Sequence, residues 1–338
     1  MTAGTLRIAT FHTELSRKGP GLLLRDILSD EDAQVTAVAR VIAEVAPDIL
    51  LLQGVDYDHG NVALTALRDR IARTGLDYRH VFTLRPNTGM STGLDLDGDG
   101  RRGEPEDNQS HGWFSGEGGM AILSRHPVVT TDVRDFSALL WRDLPGAIMP
   151  RTRAEIAAVQ RLSRVGHWVV PVRVRDQTLK LMTFHASPPV FDGPEDRNGR
   201  RNHDEIAFWQ RYLEGTFGAP PERRFVIAAN ANLDPVDGQG RKAALRALLG
   251  DPRLQDPAPR RPGPVTRRPG QKGDPVLDTV AWPGPEPGHL RVSYILPSAD
   301  LTVTGAGVFW PAPDDPMADM AARASRHRLV WVDLAWPG

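Results

Sequence analysis

An acidic cluster in the first third of the chain has the spacing of a calcium-binding loop. Aspartates occupy the first, third and fifth positions, a glycine the sixth and a glutamate the twelfth: Asp95, Asp97, Asp99, Gly100 and Glu106. Ca²⁺ takes oxygen ligands, and this alternation aims carboxylates at one centre while the glycine permits a sharp turn. The main-chain carbonyl of Arg101 would supply a further oxygen. We therefore predict a structural Ca²⁺ site, with a solvated acidic turn as the alternative.

The surroundings of this loop differ from those of a helix–loop–helix calcium site. Neither flank has helical periodicity, and Arg102 stands where such sites carry an apolar residue. The loop belongs to a longer stretch, residues 86–119, that is rich in Gly, Asp, Asn and Ser. We expect this stretch to be an ordered insertion, held in place by the bound ion.

Five short segments occur in the order of the signature blocks of one large enzyme family. They span residues 8–14, 47–54, 184–188, 226–235 and 325–330, with the sequences IATFHTE, PDILLLQG, FHASP, VIAANANLDP and SRHRLV. A sixth segment, RVSYIL at 291–296, precedes the last of them. The segments resemble the endonuclease/exonuclease/phosphatase superfamily, which includes deoxyribonuclease I, AP endonucleases, sphingomyelinases and inositol phosphatases. Residues 188–206 resemble a bacterial, often exported, branch of it.

The resemblance implies phosphoester hydrolysis by in-line attack of water on phosphorus. Such an attack needs a deprotonated water, a stabilised phosphoryl group and a protonated or metal-bound leaving oxygen. The family supplies a Glu for Mg²⁺, an Asp–Asn pair at the water and the phosphate, two His residues and a final Asp. By position, this sequence retains His185, Asn232 and His327. Glu14 lies where many relatives also place an acid, and it marks a residual metal position.

Most of the family's acidic positions carry other residues in this chain. Glycine replaces the metal-binding Glu, asparagine and serine replace two Asp residues, arginine replaces the final Asp and histidine an Asn: Gly54, Asn230, Ser293, Arg326 and His12. Mg²⁺ is usually held by one or two carboxylates, and a guanidinium, which is always charged, repels a dication. The substitutions therefore predict a degenerate site without the family's Mg²⁺ or Mn²⁺. Because an amide cannot accept a proton, Glu14 and His12 are the alternatives for the general base.

Arginines near these segments are candidates for binding a phosphate in place of the metal. We expect Arg326 to pair with Glu14 in the empty site and to bind a phosphate with its guanidinium fork when substrate is present. Further candidate substrate contacts are Arg200, Arg201 and His12. For residues 193–201 a salt-bridged loop that opens the helix at Asn202 is an equal alternative.

Two functions remain open from these residues. In the first, the protein is a phosphoesterase in which His185 and His327 transfer protons or bind phosphate. Asn232 then holds the phosphate or the water, and Arg326 replaces the charge of a metal. In the second, the protein is an inactive relative that binds a phosphorylated ligand or a protein partner. Histidines gathered around a cation favour the enzyme, and a cleft filled by apolar groups or arginine favours the binding protein.

Apolar periodicity predicts strands and helices along the whole chain. Strand patterns occur at 6–11, 49–52, 81–84, 120–123, 168–174, 179–184, 225–229, 292–296, 301–308 and 329–332, and helical patterns at 32–45, 61–72, 202–213 and 242–249. No repeat and no change in composition divides them, so we expect a single domain over residues 1–338. The resemblance implies a four-layered α/β/β/α sandwich of two packed mixed sheets. Residues 250–290, rich in Pro, Gly and Arg, are expected to form a surface excursion.

Charge and composition exclude several classes of protein. The formal net charge is −1, so the chain lacks the basic excess of a generic nucleic-acid-coating protein. It contains no cysteine, which excludes disulfides, zinc–thiolate sites and cysteine nucleophiles. No apolar run is long enough to span a membrane, and residues 1–4 show no signal-peptide pattern. Because calcium is plentiful outside the cytoplasm, we expect an extracytoplasmic (periplasmic or secreted) protein whose signal has been trimmed; a cytoplasmic protein is the alternative.

Overall fold

The structure, a computed structural model, describes residues 4–284 and 286–337. Its strands are β1 (Gly4–His12), β2 (Ile49–Val55), β3 (His80–Phe82), β4 (Gly119–Ser124), β5 (Arg134–Asp135), β6 (His167–Val174), β7 (Gln177–His185), β8 (Phe225–Asn230), β9 (Val280–Ala281), β10 (His289–Leu290), β11 (Ser293–Pro297), β12 (Thr302–Phe309) and β13 (Leu329–Trp336). Its α-helices are α1 (Leu22–Leu28), α2 (Ala33–Val45), α3 (Val62–Ala72), α4 (Ala154–Ala157), α5 (Arg197–Leu213), α6 (Ala243–Leu249) and α7 (Ala318–Ala324). None of these described helices has the length and apolar character needed to cross a membrane.

The strands form two large mixed sheets and one small ribbon. The six-stranded sheet has the order β12-β13-β1-β2-β4-β3, and the five-stranded sheet has the order β11-β8-β7-β6-β5. β1 is parallel to β2 and β7 is parallel to β8, whereas the other neighbours in both sheets are antiparallel. β9 and β10 pair separately.

Both faces of each large sheet are covered, because alternate side chains of a strand point to opposite sides. Ile8 of β1 lies in the core between the sheets, where it joins Leu181 of β7 and Val226 of β8. Phe11 of β1 instead packs in the outer core against α1, α2 and α3. On the far side, α5 and α6 cover the five-stranded sheet. The molecule is therefore an α/β/β/α sandwich, which confirms the predicted fold.

Element boundaries follow the predicted ones except where polar residues are buried. α5 begins at Arg197 and not at Asn202. Its buried face includes Arg201, Asn202, Asp204 and Glu205, which bond to main-chain groups of neighbouring loops. A helix face that packs through hydrogen bonds leaves no apolar period in the sequence, and the predicted start was therefore too late.

The insertion at residues 86–119 is anchored to the body by a buried asparagine. The side-chain amide of Asn87 donates to the carbonyls of Ser137 at 2.7 Å and Ser163 at 2.8 Å, and its main-chain N–H donates to the carbonyl of Val165 at 3.0 Å. The insertion contains a short 3₁₀ turn, Pro105–Asp107. These contacts fix the insertion beside the start of β6.

Candidate active site

The residues singled out by the resemblance lie at one end of both large sheets. His12 ends β1, His185 ends β7 and Asn230 ends β8. Asn230 pairs with His185 on one side and with Ser293, the first residue of β11, on the other. His327 lies just before β13, which is antiparallel to β1, so it reaches the same end. Strand pairing therefore brings together residues from distant parts of the chain.

Three histidine rings are in contact at this end. The ring centroid of His12 lies 4.9 Å from that of His185 and 4.3 Å from that of His327. The amide Nδ2 of Asn232 lies 3.4 Å from Nε2 of His185 and donates to the carbonyl of Ala186 at 2.8 Å. Within the described chain, the Nδ1 atoms of all three rings have no hydrogen-bond partner. These three Nδ1 atoms are buried, so each lacks both a described partner and open access to solvent.

Burial keeps the three imidazoles neutral near neutral pH. It lowers the pKa of His12 to about 4, with Glu14 opposing this shift and Arg164 adding to it. Burial also places the pKa values of His185 and His327 well below the ordinary range, and the neighbouring His12 lowers both further. The three rings are therefore uncharged when the site is empty, and their lowered pKa values make them weaker proton acceptors than a free imidazole.

Glu14 is bonded to Arg326 and Ser325 at the rim of the cluster. Nε of Arg326 donates to Oε1 of Glu14 at 2.8 Å, and the main-chain N–H of Arg326 donates to Oε2 at 2.8 Å. The hydroxyl of Ser325 lies 3.1 Å from Oε2. Burial alone would raise the pKa of Glu14, but the bonds from Arg326 hold it below its ordinary value. The structure thus contains the Glu14–Arg326 pair, whose guanidinium also stacks 4.5 Å from the ring centroid of Trp282.

His12 takes the space that the family's metal-binding Glu would need. A Cβ atom on Gly54 would lie 2.9 Å from Cε1 of His12 and 3.2 Å from the main-chain nitrogen of Glu14. Gly54 also has a φ of +68°, a left-handed conformation that side chains disfavour. Glu14, the carboxylate beside it, is already bonded to Arg326. The residues of this cleft therefore do not fit a carboxylate-held Mg²⁺ or Mn²⁺.

Asn230 is fully buried and shapes the turn that carries Asn232. Its Oδ1 accepts a hydrogen bond from the main-chain N–H of Asn232 at 2.9 Å. Asn232 has a φ of +50°, so the chain bends sharply at this point. Among the described residues, Nδ2 of Asn230 has no partner. Because an amide cannot take a proton from water, Asn230 positions its neighbour and is no general base.

Arg200 and Arg201 bind main-chain carbonyls, which corrects the prediction that they contact substrate. Arg201 is buried, and its Nε and Nη2 donate to the three carbonyls of residues 161–163. Arg200 donates to the carbonyls of Glu195 at 3.0 Å and Ile148 at 3.2 Å. Both guanidiniums brace loops against α5, because buried carbonyls outside regular elements need donors.

Arg164 is a cation of the cleft that the sequence did not single out. It precedes β6, whose first residue His167 pairs with Phe184, the neighbour of His185. Its charge lowers the pKa values of His12 and His185. The sequence signal that could have identified Arg164 is its position just before β6, because β6 pairs with β7, the strand that ends in His185.

The Pro/Arg-rich segment forms a wall of the cleft and is more than the predicted surface excursion. The main-chain N–H of Ala281 in β9 donates to the carbonyl of Arg326 at 2.9 Å, and Val280 forms a bridge with His327. The ring of Trp282 lies edge-on to His327 with the centroids 5.2 Å apart. Residues 280–282, near the end of this segment, therefore cover His327.

Three aspartates gather their carboxylates in the insertion. The oxygens that lie within 4.8 Å of one another belong to Asp95, Asp97 and Asp99. Glu106 stands apart, with Oε1 3.4 Å from Nε2 of His111, because the 3₁₀ turn directs its neighbour Asp107 inward onto the N–H of Leu96. The side chain of Arg101 is exposed. The predicted Glu106 ligand is therefore outside the cluster, and Ca²⁺ binding stays a prediction that rests on three carboxylates.

Comparisons with known proteins agree with this architecture. A profile of the Endonuclease/Exonuclease/phosphatase family matches residues 25–327. The chain is similar to the solved endonuclease/exonuclease/phosphatase from Beutenbergia cavernae, with 16% identity and a TM-score of 0.57 over 99% of this chain and 72% of that chain. It is similar to the one from Bacteroides vulgatus, with 13% identity and a TM-score of 0.55 over 99% of this chain and 100% of that chain. It is also similar to sphingomyelinase C from Streptomyces griseocarneus, with 16% identity and a TM-score of 0.52 over 98% of this chain and 99% of that chain.

These structural likenesses, at such low identities, show the fold. A search of curated proteins finds no match. The family profile covers most of the chain and includes His185, Asn232 and His327. The chain therefore belongs to the endonuclease/exonuclease/phosphatase family.

Proposed function

We propose that the protein is a phosphoesterase that binds a phosphate ester where its two sheets meet. The observation that carries the proposal is the contact of His12, His185 and His327, which come from both sheets. Family membership supports the phosphoester chemistry. The cluster supports the location, because neutral imidazoles and amide groups bind phosphoryl oxygens and transfer protons.

In this proposal the base is an imidazole and the nucleophile is water. His185 takes a proton from the water as the water oxygen bonds to phosphorus, and the proton returns to the leaving oxygen as its bond to phosphorus breaks. Asn232, 3.4 Å from Nε2 of His185, is placed to orient the water or a phosphoryl oxygen. His12 and His327 contact the phosphoryl group through ring N–H groups.

Arg326 closes one side of the site in this proposal. Its Nε and Nη2 bind Glu14, which leaves Nη1 for a phosphoryl oxygen. We expect the pair with Glu14 to persist in the complex, because a released carboxylate would face the phosphate with like charge. Arg326 therefore adds positive charge at the rim without leaving its partner.

A protein that binds a phosphorylated ligand without cleaving it is the second candidate. Within the described residues, the Nδ1 atoms of His185 and His327 lack a partner, so no carboxylate orients either ring. Ser293, which stands at the position of the family's Asp, cannot stabilise an imidazolium as a carboxylate does. The cleft would then hold its ligand through the same contacts.

Hydrolysis of 4-nitrophenyl phosphate and bis(4-nitrophenyl) phosphate separates the two candidates. The parent is assayed with a chelator and with added Mg²⁺, Mn²⁺ or Ca²⁺, beside His185→Ala. His80→Ala is the matched control, because His80 pairs with Ser124 at the opposite end of the sheet. Turnover in chelator that His185→Ala loses and His80→Ala keeps supports the enzyme. Equal rates in the parent and His185→Ala contradict hydrolysis at this site, and turnover that needs added metal contradicts the metal-free mechanism.

A further inference from the structure

Arg164 lies beside the histidine cluster, although no signature segment includes it. It precedes β6, which is antiparallel to β7, so the start of β6 and the end of β7 lie at the same edge of the sheet. Its guanidinium is close enough to His12 and His185 to lower the pKa of each. The main-chain N–H groups of Arg164 and Ser187 donate to the same carboxylate, that of Glu205, so the Arg164 loop lies beside the loop that follows His185.

Within residues 4–284 and 286–337, no ion pair neutralises the charge of Arg164. In the part of the chain that the structure describes, no carboxylate oxygen lies within 4.0 Å of its guanidinium, and the acids facing it, Glu205 and Glu117, act from farther away. Burial lowers the pKa of Arg164, yet a guanidinium stays protonated in proteins. Arg164 is half-buried, so water solvates its guanidinium only in part, and a bound anion would neutralise its charge.

Two residues of α5 fix the loop that carries Arg164. Glu205 is fully buried, and its Oε1 accepts the main-chain N–H of Arg164 while its Oε2 accepts that of Ser187 at 2.6 Å. Arg201 donates to the three carbonyls of residues 161–163. One carboxylate thus ties the Arg164 loop to the loop that follows His185, and a buried guanidinium braces the turn before it.

Two described arginines next to His327 are already bonded to protein groups: Arg328 donates to the carbonyls of Ala321 and Ser325, and Arg326 binds Glu14. Nε and Nη2 of Arg326 bind Glu14, and the Arg326 side chain is 53% exposed. Arg164 is less exposed, and its guanidinium bonds to no described residue. Of these three described arginines, Arg164 therefore has its whole guanidinium available to a phosphate, whereas Arg326 has only Nη1.

We propose that Arg164 binds the phosphoryl group in a cleft whose residues do not fit a carboxylate-held metal, with Glu205 and Arg201 as its positioning residues. This inference rests on the proposed function, because it takes a phosphate ester as the ligand. A planar guanidinium binds two phosphoryl oxygens at once, so Arg164 both holds the group and supplies positive charge to it.

Calorimetric titration with inorganic phosphate in chelator tests the assignment of Arg164. The variants are Arg164→Met and Arg164→Lys, with Arg173→Met as the control, because Arg173 is an exposed arginine of the same strand β6. We expect Arg164→Met to weaken phosphate binding about ten- to hundredfold, Arg164→Lys to lie between, and Arg173→Met to match the parent. We also expect Arg164→Met to melt no lower than the parent, because it removes an unpaired cation.

Glu205→Gln tests the positioning role. Glutamine offers one carbonyl oxygen where Glu205 accepts two main-chain N–H groups, so one of the two loops is released. We expect weaker phosphate binding in Glu205→Gln, and no further weakening when Glu205→Gln is added to Arg164→Met. A purely structural role for Glu205 would weaken binding equally in both backgrounds and would overturn this part of the proposal.

The outcomes separate this inference from the proposed function. Equal phosphate affinity in the parent and Arg164→Met overturns the assignment, as does a parent that binds no phosphate. If the parent and Arg164→Met hydrolyse 4-nitrophenyl phosphate with the same kcat and KM, the proposed phosphoesterase function is supported. The assignment of Arg164 as a phosphate ligand is then wrong. If phosphate binding needs Arg164 but no ester is cleaved, the assignment stands and the hydrolysis fails.

Discussion

The imidazole of His12 fills the space that a side chain at Gly54 would need. A Cβ atom on Gly54 would lie 2.9 Å from Cε1 and 3.1 Å from Nε2 of His12. A Cβ atom at position 54 therefore requires the imidazole at position 12 to shift in this backbone. The glycine at position 54 and the histidine at position 12 therefore belong to a single packing arrangement.

This relationship predicts strong coupling between substitutions at the two positions. Gly54→Glu is expected to lower the free energy of unfolding by about 2–5 kcal/mol, because a left-handed side chain costs about 1–2 kcal/mol and overpacking about 1–3 kcal/mol. His12→Asn in the same chain is expected to recover the overpacking part. Urea denaturation of the four proteins of the cycle measures the coupling, and additive effects would contradict it.

Gly263→Glu supplies the matched control for this cycle. Gly263 has a φ of +77°, close to that of Gly54, and a Cβ atom there would meet nothing within 4 Å. The loss of stability in Gly263→Glu therefore measures only the cost of placing a side chain on a left-handed backbone. We expect His12→Asn to leave the effect of Gly263→Glu unchanged.

The buried histidines predict a loss of stability in acid. The folded pKa of His12 is about 4, below its ordinary value of 6.5, so the unfolded chain binds protons first as the pH falls. Stability is therefore complete above about 6.5 and falls toward about 4, by up to about 1.4 kcal/mol per pH unit for each such histidine. Urea midpoints across this window should fall less steeply in His327→Gln than in the parent. An unchanged slope in His327→Gln would show that burial of this ring does not govern the acid response.

Asp278 predicts the opposite sign of pH dependence. It is buried with Gln271 as its side-chain partner, at 2.9 Å from Nε2 to Oδ2, and burial raises its pKa to about 6. Because the folded value exceeds the ordinary 3.8, the stability that Asp278 contributes in acid is lost as the pH rises through about 6. At a pH above about 6, Asp278→Asn should therefore raise Tm, because the free energy of unfolding increases by up to about 2 kcal/mol. In acid, Asp278→Asn should change Tm little. A gain of equal size at both pH values would assign the effect to packing instead of charge.

The aspartate cluster predicts stabilisation by Ca²⁺. The oxygens of three carboxylates lie within 4.8 Å of one another, and Ca²⁺ bound there at a hundredfold excess over its Kd would add about 2.7 kcal/mol of stability. Thermal melts with Ca²⁺ or chelator measure this effect. Asp97→Asn should reduce the Ca²⁺ response, whereas Glu106→Gln should leave it nearly unchanged because Glu106 lies outside the cluster. Identical melts of the parent with and without Ca²⁺ would favour the solvated acidic turn.

The fold and the histidine cluster could be predicted because both leave local signals. Apolar alternation marks the strands, and short segments around His185, Asn232 and His327 keep the family's order. Strand pairing then places these residues together, since parallel and antiparallel partners end at the same edge. The order of these segments in the sequence was therefore sufficient to predict that His185, Asn232 and His327 lie close together.

The cations of the site could not be assigned from the sequence for a physical reason. Arg164, Arg200 and Arg201 are all charged and all precede or open regular elements, but only Arg200 and Arg201 bind main-chain carbonyls, whereas the guanidinium of Arg164 bonds to no described residue. Arg201 is bonded to buried carbonyls, whereas Arg164 is not. Only the tertiary arrangement decides which guanidinium is left for a ligand.

β13 lies between β12 and β1, so the first and last strands of the described fold are hydrogen-bonded neighbours. On the ribosome, β1 keeps an unpaired edge until β13 has been synthesised, and His327 reaches the cluster only with that strand. A nascent chain therefore has an incomplete histidine cluster at every earlier stage of its synthesis. Phosphate binding would thus report completion of the sheet, and translation products that stop before β13 would be both inert and prone to edge-to-edge association.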